Sequence, residues 1–204
     1  MQNQNYRTII NDHESHVNQD TYEFEQGIFR FDKPINEDEH KRFAGFVNYW
    51  VRKHPGESMY IIINSPGGHV TDGLAILDTL NSAKEMGCTV YTIATGMAAS
   101  MGAFLLAAGS KGCRYATPNA KIMLHQPLGG VSGQATDMQI VVEDVVRTKS
   151  LLTKHISDFT GQSVEQLAPK LERDYHMSAE QALKEGVIDH IDYEVKIIQT
   201  FSRY

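Results

Sequence analysis

The stretch Gly96–Gly109, GMAASMGAFLLAAG, limits the possible folds more than any other part of the chain. Small residues crowd one serine, Ser100, and Met101–Ala108 reads as the opening of a buried helix. The apolar run Cys88–Ala94 just upstream predicts a strand that feeds this point. A strand must therefore turn into a helix within a few residues. Small neighbours at Ala98, Ala99 and Gly102 would let the serine side chain project from that turn. The pattern is small-x-Ser-x-Gly, with Ala98 where a hydrolase nucleophile elbow has glycine. Small residues around a serine also occur at close helix packings, so the stretch alone leaves both readings open.

The remaining periodicity predicts alternating strands and helices. Thr21–Phe31 suggests one or two strands broken near Gly27. Asn36 is placed to cap a helix whose third position is Glu39, and Phe43, Phe46, Val47 and Trp50 form its apolar face. Ser58–Asn64 reads as a buried strand ended by Ser65-Pro66-Gly67-Gly68, with a helix over Asp72–Glu85 after it. Arg114–Thr117 and Lys121–Leu124 read as short strands around Pro118-Asn119. A helical pattern then runs from Gln134 to Phe159, striped by Met138, Val141, Val142, Val145, Leu152 and Ile156. At 1.5 Å per residue it would reach about 39 Å, beyond a small core, so it should protrude and pack on another copy of the chain. Ser178 and Gln181 cap a short helix closed by Gly186, and Val187–Ile198 reads as a final strand. The fold class expected is α/β with a largely parallel sheet.

No linker or repeat divides the 204 residues, so residues 21–204 are expected to form one domain and residues 1–20 a flexible arm or extension. A net charge of −6 argues against a nucleic-acid partner. The polar N-terminus is no secretory signal and no run is long enough to span a membrane, so a cytoplasmic location is expected. Cys88 and Cys113 fit no metal or disulfide spacing and read as reduced thiols.

A serine nucleophile needs a base, and the base needs an orienting acid. Of the nine histidines, His125 ends the apolar run Ile122-Met123-Leu124 before a Pro/Gly loop, a position where α/β folds gather functional groups. A hydrogen-bonded structural histidine fits the same place. No metal ligand stands at a suitable spacing from it. Spacing does not choose among the acids, although Asp174 lies just before the Ser178 cap. The backbone N–H of Met101 and those of Gly67-Gly68 could face an oxyanion. The two glycines also suit a plain strand-to-helix turn.

Four blocks together are similar to the ClpP family, the proteolytic subunits of Clp proteases. They are INSPGG (Ile63–Gly68), GMAASMGAFLLAAG (Gly96–Gly109), MLHQPLGGVSGQATD (Met123–Asp137) and ERDYHMSAEQALKEGVID (Glu172–Asp189). The resemblance implies Ser100 as nucleophile, His125 as general base and Asp174 as the acid that orients it. It implies Gly68 and Met101 as oxyanion-hole donors and Gln126, Pro127, Leu128, Gly129 and Gly130 as the substrate-binding segment. It also implies a ClpP/crotonase-like spiral of ββα units with a helical handle over about 126–170. Two stacked heptamers would enclose the sites, and an AAA+ unfoldase would supply unfolded polypeptide. That unfoldase would use the ATP, leaving this chain with no cofactor and no metal. Glu172-Arg173 becomes a candidate ion pair across the ring junction.

The N-terminal part up to Pro55 departs from the family pattern, and Ile62 stands where an aromatic is frequent in the docking cleft for unfoldase loops. A non-catalytic or regulatory ring subunit is the alternative within the family, disfavoured by the intact Ser–His–Asp set. A crotonase-type acyl-CoA enzyme is disfavoured by the absence of an evident CoA signature.

Overall fold

The computed structural model describes residues 19–194 and residue 196. Its spine is a parallel sheet in the order β1 (Ile28–Phe31), β2 (Met59–Ser65), β3 (Val90–Ala99), β4 (Arg114–Ala116) and β7 (His190–Ile191). Strand β3 is unusually useful because its two halves have different neighbours. Thr92–Ala94 pairs with β4, whereas Met97–Ala99 pairs with β5 (Lys121–Leu124). Strand β6 (Tyr175–Met177) then adds antiparallel to β5. The helices are α1 (Gln19–Glu25), α2 (Glu37–Lys53), α3 (Val70–Glu85), α4 (Met101–Ala107), α5 (Ala135–Thr160), α6 (Val164–Leu171) and α7 (Ala179–Lys184). The fold is the expected α/β class: β1, β2 and β3 are each followed by a helix, and β4 and β5 by the long helix α5.

Local chemistry explains most boundaries. Asn36 accepts the Glu39 N–H at 3.0 Å, and acids in the first turn of α2 face bases in its last. Such a cap contributes about 1 kcal/mol and the charges complement the helix dipole. Phe43, Phe46, Val47 and Trp50 are buried as their spacing requires. Ser178 and Gln181 form the expected capping box on α7.

Three expectations need correction. Thr21–Phe31 is not all strand: α1 precedes β1. The Phe24 ring stacks 5.6 Å from Phe29 and lies 5.0 Å from Phe46, so burial of one aromatic outweighs local strand preference. The chain reverses at Gly27 with φ +73, where a Cβ would strike the Trp50 ring. The final strand is only His190–Ile191, because β4 offers it only Tyr115 and Ala116 as partners. Glu194 beyond it is helical, and residues 195, 197 and 198 of that expected strand lie outside the described residues. Helix α6 was not anticipated, although its Ser163–Gln166 capping box is visible as S-x-x-Q. Helix α1 also begins inside the stretch expected to be an arm; residues 1–18 lie outside the described part.

Helix α5 has 26 residues, of which Thr153 and Ile156 are buried. Ile140, Val142 and Val146 on its N-terminal half are more than half exposed. Of the expected stripe in this half, Val141 and Val142 are exposed, whereas Met138 and Val145 are half-buried. Among the described residues no helix is long and apolar enough to cross a membrane. Both cysteines are free, Cys88 buried and Cys113 half-buried.

The far end of the sheet is locked by Arg114, which is buried and pairs with Asp189 at 2.6 Å while donating to the Phe159 carbonyl at 2.9 Å. Burial opposes ionisation of Asp189, but hydrogen bonds from Arg114 and from the Gly112 N–H win and hold its carboxyl below the usual range. A depressed folded-state value stabilises the fold above the ordinary aspartate range, and that contribution fades as pH falls through the lowered value. Replacing Arg114 with Met leaves a largely buried carboxylate unpaired. We expect a loss of about 3 kcal/mol in urea denaturation at neutral pH, with the deficit narrowing on acidification as Asp189 takes up a proton.

Candidate active site

Strand β3 delivers Ser100 at its last turn. The serine has φ 54 and ψ −123, and it is the one non-glycine among the described residues with positive φ. A side chain in this region costs about 1–3 kcal/mol, so neighbouring contacts must hold it there. The Ser100 N–H donates to the Met123 carbonyl at 2.8 Å, and the Ser100 carbonyl accepts from the Phe104 N–H at 3.0 Å. The turn is thereby fixed to β5 on one side and α4 on the other.

The same pairing supplies the histidine. Ala99 faces Met123 across the β3–β5 ladder, so His125 emerges beside Ser100. Its Nε2 lies 2.9 Å from Ser100 Oγ. Leu124 in turn faces Tyr175 across the antiparallel β5–β6 pair, which sets Asp174 opposite His125. His125 Nδ1 lies 3.1 Å from Asp174 Oδ1. A carboxylate can only accept, so Nδ1 carries the proton and Nε2 presents its lone pair to the serine hydroxyl. Three residues scattered over 75 positions thus form one hydrogen-bonded row. The row is asymmetric in exposure: the His125 side chain is 13% exposed and that of Asp174 60%.

The glycine loop closes over the turn. Ile35 pairs with Gly68, donating to the Gly67 carbonyl at 2.8 Å and accepting from the His69 N–H at 2.9 Å. A Cβ on Gly67, at φ +91, would lie 2.6 Å from both the Ala99 carbonyl and Ser100 Cβ. Only a bare backbone can approach this closely. The N–H groups of Gly68 and Met101 donate to no other group among the described residues. Both predicted oxyanion donors thus lack another acceptor among the described residues, Gly68 on the glycine loop and Met101 at the start of α4.

Beside Ser100 a small, partly open cavity of about 30 Å³ is lined by Val70, Phe104, Leu124, Ile156 and Leu171. Lys149 of α5 stands at its edge and pairs with Glu172 at 2.9 Å. That contact holds the Glu172 carboxyl below its ordinary value. Glu172 is thus engaged within its own chain, while Arg173 is exposed. Of the predicted substrate-binding segment, Gln126 is partly committed: its N–H donates to Leu171 and its side-chain amide to the Glu172 carbonyl. Leu128, Gly129 and Gly130 are exposed. Among the described residues no group of three or more His, Cys, Asp or Glu side chains could hold a metal.

Sequence patterns did not point to Ile35 or Lys149. Ile35 acts through its backbone, which leaves no side-chain signature. Lys149 is one lysine among several on an amphipathic helix, and only the packing of α5 selects it.

Gly67→Ala tests the contact between the loop and the serine turn. Gly56 has a similar φ of +78 with nothing within 4 Å of its would-be Cβ. We expect Gly56→Ala to cost about 1 kcal/mol and Gly67→Ala about 3 kcal/mol or more, read by urea denaturation. A crystal structure of Gly67→Ala should show Ser100 Oγ moved out of hydrogen-bond range of His125.

The chain has a counterpart among known proteins. The family model described as Clp protease matches residues 13–194, most of the 204-residue chain. The chain belongs to the Clp protease family.

Proposed function

We propose that this chain is a serine endopeptidase subunit that cuts unfolded polypeptide inside a ring chamber. The observation that carries the reading is the row Asp174–His125–Ser100, with lengths of 3.1 and 2.9 Å. His125 takes the Ser100 proton as Oγ attacks a peptide carbonyl, and Asp174 stabilises the imidazolium that forms. The N–H groups of Gly68 and Met101 receive the oxyanion, and the apolar cavity takes the side chain before the scissile bond. His125 then protonates the leaving amine, and water repeats the steps on the acyl-enzyme. The exposed backbone of Leu128, Gly129 and Gly130 suits pairing with an extended substrate.

A subunit of this kind acts within an assembly. The uncovered stripe on α5 is supporting ground for two stacked heptamers, in which a copy of this helix would cover it. A half-exposed Asp174 is also understandable if neighbours complete its surroundings. An AAA+ unfoldase would deliver substrate and consume the ATP, leaving this chain without a cofactor. In this reading residues 21–204 are one peptidase domain, residues 1–20 are an appended arm, and the particle works in the cytoplasm.

The test combines native mass with cleavage of a short fluorogenic peptide. Wild type should form a fourteen-subunit particle and cleave the peptide; Ser100→Ala should form the same particle with no turnover. Asp174→Asn should lower kcat by about 10³-fold or more with a smaller change in KM, because the imidazole loses its fixed tautomer. Turnover by Ser100→Ala equal to wild type would overturn the proposal.

A further inference from the structure

A second histidine–aspartate pair lies beside the first. His69 directly follows Gly68, and its own N–H is fixed to Ile35 on the ladder that fixes the glycine loop. Its imidazole is 73% exposed, and Nδ1 lies 3.1 Å from Asp72 Oδ2. Asp72 itself is only 16% exposed, and its other oxygen lies 3.9 Å from His40 Nδ1 on α2. The nearby Lys41 is engaged by Glu37 at 2.5 Å, so it does not neutralise Asp72 by direct contact.

The chemistry of the pair follows from its geometry. Asp72 can only accept, so His69 Nδ1 carries the proton and Nε2 turns its lone pair to solvent. The unit presents an acceptor backed by a full negative charge. Its place is equally informative. His69 stands between Gly68, an oxyanion donor in the reading above, and Val70, which lines the cavity beside Ser100. Side chains of an extended segment alternate in direction. Val70 lines the cavity while the His69 side chain is exposed, so His69 stands one residue along the chain from the cavity wall.

We propose that His69, positioned by Asp72, is a specificity-determining residue that favours lysine or arginine next to the residue held in the cavity. The basic side chain donates to His69 Nε2 and is attracted by Asp72, while a glutamate in its place meets an acceptor and a like charge. The inference rests on the endopeptidase reading. An exposed pair of this kind changes affinity by up to about 1 kcal/mol, or about three- to five-fold in kcat/KM.

The experiment uses assembled full-length protein and matched fluorogenic peptides with Lys or Glu at the position on either side of one leucine. The readout is the Lys-to-Glu ratio of kcat/KM, which is independent of overall rate. At pH 8 wild type should prefer Lys about three- to five-fold at one position at least. Asp72→Asn should shrink the ratio, His69→Ala should bring it to about one, and His69→Lys should invert it. Equal ratios in all four proteins would overturn the inference. Fluorophosphonate labelling of Ser100 in the same samples separates the two claims. Labelled, active protein with unchanged ratios sinks the specificity role alone; unlabelled Ser100 with no cleavage of any peptide sinks the endopeptidase reading and this inference together.

Discussion

The site depends on how the last three residues of β3 pair with β5. That short ladder, with Ala99 opposite Met123, continues into the bond from the Ser100 N–H to the Met123 carbonyl. It holds a serine in a backbone conformation that side chains avoid. It also brings His125 beside the hydroxyl, and the pairing of β5 with β6 carries Asp174 into line. Slipping β5 by one residue would turn His125 to the opposite face and break its contact with Ser100. Register is thus a chemical requirement here as well as a structural one. The burial of Ile122 and Leu124 on one face of β5 enforces it.

The sequence was legible where side chains announce their roles. Asn36 and Glu39, Ser178 and Gln181, and the stripe of Phe43, Phe46, Val47 and Trp50 all declared their elements. Ser100 was marked by its small neighbours, but spacing could not choose Asp174 among twenty-five acids. That choice came from resemblance; the β5–β6 register is what places Asp174 beside His125. Backbone-mediated features were illegible: nothing in the residue names says that Ile35 clamps the glycine loop. The strand expected at Thr21–Glu25 failed because Phe24 has a tertiary partner in Phe46, which local preference cannot foresee. The short β7 failed for a similar reason, since a strand extends only as far as its neighbour.

The molecule also has a division of labour along its length. The sheet and its flanking helices bury nearly all large apolar side chains, including Phe29, Phe31 and Ile61–Ile63. Helix α5 does the opposite over its first half, presenting Ile140, Val142 and Val146 to the outside. Its inner half reaches the cavity beside Ser100 through Ile156 and touches the acid-bearing loop through the Lys149–Glu172 pair. One rigid element therefore runs from an apolar face that needs cover to the neighbourhood of Asp174. The Lys149–Glu172 pair thus ties the inner half of α5 to the segment that leads into Asp174.

The central claim is that Ser100 is a nucleophile activated by His125. Brief exposure of the assembled protein to a fluorophosphonate, followed by peptide-resolved mass spectrometry, tests it most directly. One adduct is expected, on the peptide bearing Ser100, and it should be lost in a His125→Ala variant that retains the native mass. An adduct confined to another residue, or undiminished labelling of Ser100 without His125, would contradict it.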